Sequence, residues 1–363
     1  MTAISAGTIT AYFLFDVADA IDLASVSRLV ESTVPIRFTS KPPAPAYVQY
    51  RQPPITVDGI AMGTPSVDGF AVRAKVFDFG VISVAMTRPI PTSWDALLQE
   101  GLALLDNAPL AQAAQQACRA LVGRIVSAVD HRRLEFLTED YFVFSVTRFD
   151  PEMTAERLLS DHGGTIAQLL RGEREPLSPE ELSEVLRHRL SYLASDLVVP
   201  TWNGAFVYDS EPGVQGALEI LELANSQLLQ FRYYDSLLDS ELEGIYAQLQ
   251  KPVWSQSWLG RRYTRAARHV HALFVDVNEL TDRTENALKV AGDVYAARLL
   301  ALAGSRLGLD HWKTAVRDKL KTLDDIYRFA VDQTAMTRGE ILELTVVLIL
   351  VVELVLFFAG LMH

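Results

Sequence analysis

The run A-V-R-A-K-V-F-D-F-G-V-I-S-V-A-M at residues 71–86 reads as two strands folded back on each other. In Ala71–Phe77 apolar residues alternate with Arg73 and Lys75, the period of two expected of a strand with one polar face. Val81–Met86 repeats the pattern with no charge. Asp78-Phe79-Gly80 supplies a tight turn between them, with a glycine where the backbone has to turn sharply. Such a hairpin needs an antiparallel sheet around it, and the flanking sequence offers partners.

On the N-terminal side Ile9–Phe15 has strand character and Ile21–Val30 helical spacing. Ile36–Thr39 and Tyr47–Gln52 read as short strands separated by Lys41-Pro42-Pro43-Ala44-Pro45. Beyond the hairpin, helices are expected at Ser93–Asp106, Leu110–Val129 and Leu182–Leu190, and a strand at Tyr141–Phe149. Tyr192–Val199 and Ala205–Tyr208 form a second hairpin around Trp202-Asn203-Gly204. This order predicts an α+β head over residues 1–210, built on a mixed, largely antiparallel sheet.

After Pro212 the period changes. Ala217, Leu221, Ala224, Leu228, Phe231, Asp235, Leu238, Leu242, Ile245 and Leu249 recur at alternating steps of four and three, the seam of a coiled coil. A second seam runs from Tyr263 to Val294 after the break at Lys251-Pro252. A third apolar stripe runs from Leu309 to Tyr327. The expectation is an antiparallel helical coiled-coil stalk over residues 211–338. Residues 339–363 are then expected to be a C-terminal transmembrane anchor, because Leu344–Met362 is apolar except for Glu353. Arg328 and Arg338 lie before that run and no Lys or Arg follows it, so the head is expected in the cytoplasm of a bacterial cell, at its inner membrane. Met1–Gly7 lacks the basic start of a secretory signal.

Chemistry-bearing motifs are sparse. Asp78-Phe79-Gly80 copies a kinase triplet, but the glycine-rich loop, lysine and catalytic loop that accompany it there are missing. There is no P-loop, G-x-G-x-x-G, G-x-S-x-G or H-E-x-x-H. The seven histidines are scattered, His162-Gly163-Gly164 reads as a helix end, and the single Cys118 excludes an internal disulfide. No catalytic, cofactor or metal residue is therefore expected. The net charge of −12 argues against generic nucleic-acid binding. Arg261, Arg262, Arg265 and Arg268 form a local basic cluster, read either as a solvated helix face or as a contact surface for RNA, a ribosome or anionic lipid. Assembly candidates are Asp235, which interrupts the seam and needs a partner, with Arg298 across the stalk and Arg232 one turn away. Asn225 and Glu353 join them as polar residues in apolar surroundings.

The stretch Leu190-Ser191-Tyr192 through Asp196-Leu197-Val198-Val199, with Trp202-Asn203 and Ala205-Phe206-Val207-Tyr208-Asp209, resembles the YagE-like family, also called the required-for-meiotic-nuclear-division family. Ala224-Asn225-Ser226-Gln227-Leu228-Leu229 followed by Arg232-Tyr233-Tyr234-Asp235 is similar to its most distinctive motif, in the style of its bacterial members. Further likenesses are Glu285-Asn286-Ala287-Leu288, Trp312, Lys319-Leu320, Glu343 and Glu353. The family is a domain of unknown function whose eukaryotic relatives are membrane proteins. The resemblance implies a homo-oligomeric tether and offers no catalytic residues. Together these readings predict a membrane-anchored, non-enzymatic scaffold that self-associates, with an unidentified protein or ribosome as a further partner. Two rivals stand beside it. One is an enzyme acting on a small or lipid-derived substrate near Tyr192, Asp196, Trp202, Asn203 and Asp209; the other is an RNA- or ribosome-docking factor.

Overall fold

The computed structural model describes residues 3–31, 52–64, 66–105, 107–249, 272–275, 277–278 and 294–358. The chain divides into two compact units, Met1–Tyr233 with Leu280–Lys313, and Tyr234–Glu279 with Thr314–His363.

The first unit is built on strands β1 (Ala3–Asp16), β2 (Ala20–Ile21), β3 (Ile55–Asp58), β4 (Ser66–Val67), β5 (Phe70–Val76), β6 (Val81–Pro89), β7 (Val129–Asp130), β8 (Leu137–Asp150), β9 (Leu197–Pro200) and β10 (Gly204–Tyr208). Its helices are α1 (Leu23–Glu31), α2 (Gly59–Met62), α3 (Trp94–Leu105), α4 (Ala108–Arg124), α5 (Ala155–Arg171) and α6 (Pro179–Arg187); α7 (Glu211–Leu249) begins in it and continues beyond. The main sheet has the order β3-β5-β6-β1-β8-β10-β9, with β4 paired to β5 and a separate β2-β7 pair. Every pairing is antiparallel except β8 with β10, which is parallel.

The hairpin at residues 71–86 lies where its alternation puts it. Phe77 N–H donates to Val81 O at 2.9 Å, and Gly80 adopts φ 86°. A Cβ at Gly80 would come 1.9 Å from Ala18 O, so both the turn and its packing require glycine. In β1, Ile9, Ala11, Phe13 and Phe15 point to one face and join a core with residues of α1, α3, α4 and α5, including the buried Cys118. Thr8, Thr10, Tyr12, Leu14 and Asp16 point to the other face, where α7 lies.

Several expectations change. His162, Gly163 and Gly164 are not a helix end but lie inside α5, which is capped by Thr154 and ends at Gly172 with φ 72°. Gly163 is buried there, and a Cβ on it would come within 3.0 Å of Leu186. The short strands expected at Ile36–Thr39 and Tyr47–Gln52, and nearly all of the second seam, fall outside the described residues. From Ile220 to Phe231 every residue is buried, because the sheet and its surroundings enclose this stretch. The first compact unit accordingly extends through Tyr233.

The C-terminal helix Leu309–Phe358 follows the helix Val294–Arg306 after Gly308, at φ 68°. The transmembrane anchor expected over residues 339–363 is overturned: among the described residues, no helix is long and apolar enough to cross a membrane. This helix opens with a charged stretch through Asp310, Lys313, Arg317, Asp318 and Lys319. The membrane and tail-anchor readings fall with it.

Candidate functional site

The most unusual chemistry lies between the second face of the sheet and α7. A helix packed on a sheet ordinarily meets it with apolar residues. Here Glu222, Asn225, Ser226, Gln227 and Gln230 are each at most 4 % exposed, and across from them Thr10, Asp16, Ser83 and Ser145 are at most 2 % exposed. Buried polar groups are costly unless paired, so their partners determine the register of α7 on the sheet.

Three charged contacts hold the helix. Lys75 of β5 donates to Glu222. Burial works against the Lys75 charge, but Glu222, helped by Glu219, outweighs it and holds the ammonium above its ordinary range. At the end of β1, Asp16 is fully buried and accepts from Gln230 Nε2 at 3.3 Å. Arg133 Nε stands 3.0 Å from Asp16 Oδ2, its Nη2 donates to Asp19 at 3.0 Å, and its guanidinium lies 3.8 Å over the Tyr233 ring. Burial pushes the Asp16 carboxyl up to about 7, although Arg133 pulls it down. The third contact joins Arg232 to Glu139. Burial raises the Glu139 carboxyl, and Arg232 offsets part of that rise.

The intervening amides are partly satisfied within the helix: Asn225 Nδ2 donates to Leu221 O at 2.8 Å and Ser226 Oγ to Leu223 O at 2.7 Å. Ser83 Oγ, Asn225 Oδ1 and Gln227 Oε1 remain buried without a hydrogen-bond partner. Beside the layer, α7 and the sheet border a groove of about 740 Å³, floored by the small side chains of Gly7, Thr8, Ala71, Ala85 and Thr87 and walled on the α7 side by Glu211, Leu218 and Glu219.

The residues singled out from sequence do not come together as one site. Asn225 and Arg232 belong to this polar layer. Asp235 pairs with Lys319 Nζ at 2.7 Å, which also meets Asp239 at 2.6 Å; Arg298 is exposed and belongs to the other compact unit. Heptad spacing showed that Asp235 needs a partner but could not say which helix provides one. Burial opposes the Lys319 charge, and hydrogen bonds to Asp235 and Asp239 raise it above its ordinary range. Glu353 is exposed on the C-terminal helix. Arg261, Arg262, Arg265 and Arg268 lie outside the described residues.

The enzyme rival's cluster is occupied with backbone support. Asp196 accepts the N–H of Tyr192 at 2.7 Å and of Leu193 at 2.5 Å; Thr201 Oγ1 donates to Asn203 Oδ1 at 3.1 Å. Asp209 accepts Ser210 N–H at 2.6 Å as α7 begins, and packs so closely on Gly213 that a Cβ there would lie 2.1 Å away. The Tyr192 and Trp202 rings are 65 % and 64 % exposed. His162 stacks on Trp94 with 4.2 Å between centroids, and burial lowers its pKa.

Sequence reasoning passed over Lys75, Asp16, Arg133, Glu222 and Gln230. One signal was present: the even positions Thr8, Thr10, Tyr12 and Asp16 of β1 are polar in a strand too central to be exposed on either face.

The family described as "Uncharacterized protein MJ0711, N-terminal domain" matches residues 6–215, and the chain belongs to it. Uncharacterized protein MJ0711 of Methanocaldococcus jannaschii is 24 % identical over 223 residues, which cover 61 % of this chain and 66 % of that protein. No solved structure matches.

Proposed function

We propose that this member of the MJ0711 N-terminal-domain family is a non-enzymatic scaffold that self-associates through its C-terminal helix. The observation that carries the reading is the run Val346 to Val352, in which every side chain is between 49 % and 59 % exposed. Seven consecutive residues at 3.6 per turn cover the whole circumference of a helix, so the apolar surface is continuous around it. Covering these half-exposed side chains gains on the order of 5–10 kcal/mol per chain before the entropy of association is subtracted. Several copies packed together cover all sides at once, which a single neighbouring helix does not. The YagE-like resemblance, with its implied homo-oligomeric tether, supports the same reading, and a bacterial-type YagE-like relationship is part of the proposal. The support given by Asp196 and Asp209 to local backbone, and by Asn203 to the Thr201 hydroxyl, favours a scaffold over catalysis in that cluster.

Sedimentation velocity of the full chain at micromolar concentration tests it. Oligomers are expected, and Ile349→Lys with Leu350→Lys should dissociate them. A monomeric parent protein, or capture by lipid vesicles without self-association, overturns the proposal.

A further inference from the structure

A cluster of charges closes over α7 near Tyr233, the last residue of that helix in the first unit. At its centre Asp16 is fully buried where β1 ends, between the apolar strand neighbours Val81 and Leu137. From α7, Gln230 Nε2 donates to Asp16 Oδ1 at 3.3 Å. From residues 131–136, the segment between β7 and β8, Arg133 Nε approaches Oδ2 at 3.0 Å. Among the described residues, Arg133 and Asp19 are the charges that act on Asp16. His131 Nδ1 stands behind them, 3.5 Å from Asp19 and 3.1 Å from Asp130.

Asp16 and Arg133 depend on each other. A carboxylate buried to this extent ionises at moderate cost only beside a cation, and a guanidinium 14 % exposed is costly to bury without an anion. Asp19 answers part of that charge from a more solvated place, with its side chain 52 % exposed. The segment carrying Arg133 is lightly held. Four of its six residues are exposed, Leu134 at 86 %, and His131 takes a positive φ of 46°. Arg133 ties it down in two ways: its N–H donates to Val17 O at 2.9 Å, and its guanidinium covers the Tyr233 ring. Burial lifts the Asp16 carboxyl to about 7, so both of its charge states are reached near neutral pH.

We propose that residues 131–136 form a proton-controlled clasp over α7, in which Arg133 is held firmly while Asp16 is ionised and loosens when Asp16 takes up a proton. The neutral carboxyl leaves Arg133 with Asp19 and the Tyr233 ring alone. Arg133 favours the ionised form of Asp16, so the seated segment binds fewer protons than the loosened one and gains as pH rises. That sign is opposite to the effect of Asp16 on unfolding, where the folded chain binds the extra proton.

Hydrogen exchange of the full chain, followed by mass spectrometry on a fragment covering residues 131–136, reads the clasp. Comparing the parent with Asp16→Asn at each pH removes the intrinsic pH dependence of exchange. The two should exchange alike at pH 5, and the parent about tenfold more slowly at pH 8, as the loss of one charged contact implies. From pH 5 to 8 the Asn variant gains global stability on the parent while its segment loses protection; a general change in stability would move both the same way. Repeated in an Arg133→Gln background, the comparison should show no dependence on pH. In a His131→Gln background it should be unchanged. A parent-to-variant ratio that stays constant from pH 5 to 8, a pH dependence that survives Arg133→Gln, or one that is lost in His131→Gln overturns the proposal.

Discussion

Replacing Asp16 by Asn tests the account of the polar layer most directly, because it removes a charge and little volume. Asp16 is fully buried at the end of β1 and its carboxyl is pushed up to about 7, against an ordinary 3.8. Between pH of about 4 and 7 the folded protein therefore binds a proton at Asp16 that the unfolded chain has released. Stability falls with rising pH wherever the native state binds more protons, so this group's contribution is greatest below about pH 4 and declines until about pH 7. A difference of about three pH units, which already includes the pull of Arg133, corresponds to about 4 kcal/mol at most. An effect on the order of 2–4 kcal/mol is expected. In the Asn variant the side-chain oxygen still accepts from Gln230, while Arg133 keeps Asp19 at 3.0 Å and the Tyr233 ring. Urea unfolding of parent and variant at pH 5, 6, 7 and 8 gives the difference in stability at each pH, which cancels groups common to both. The parent should lose ground to the variant from pH 5 to about 7 and then hold level to pH 8. A pH-independent difference between the two refutes the reasoning, since Asp16 would then titrate alike in the folded and unfolded states.

Three other perturbations probe separate parts of the structure. Gly80→Ala forces a Cβ to within 1.9 Å of Ala18 O at φ 86°, and should cost more than about 2 kcal/mol in denaturant unfolding. Lys319→Met leaves Asp235 without its ammonium, its side chain only 17 % exposed, and should lower stability by about 1–3 kcal/mol; Asp235→Leu, which leaves Lys319 paired with Asp239, should change it by less than about 1 kcal/mol. Glu353→Leu extends the apolar surface of the C-terminal helix and should shift the sedimentation profile of the full chain toward larger species, whereas Glu353→Lys should not.

The limits of the sequence follow from the range over which its signals act. Period two in residues 71–86 and the turn at Gly80 are local, and both strands form there. The α5 helix was missed at Gly163 and Gly164 because two glycines each cost about 1 kcal/mol of helix propensity. Tertiary packing overrides that cost: Gly163 is buried close to Leu186, where a smaller residue does not exist. Hydropathy suggested a membrane span for the last apolar run, but it measures composition along a line and carries no information about what covers a helix. The parallel pairing of β8 with β10 is equally silent in a sequence whose other neighbouring strands are antiparallel.

What the residues determined alone is therefore the hairpin at 71–86, the alternation of β1 and the long helical character after Pro212, each set by contacts between near neighbours in the chain. The tertiary structure decided how those elements are used. The heptad-like row of α7 is buried from Ile220 through Phe231 and meets the sheet's second face through Glu222 and Gln230. Lys75 met Glu222 across 147 residues, and Gln230 met Asp16 across 214. Asp235 found Lys319 across 84 residues. Spacing along a helix shows that a charge will be covered, but the identity of its partner is a property of how distant elements pack.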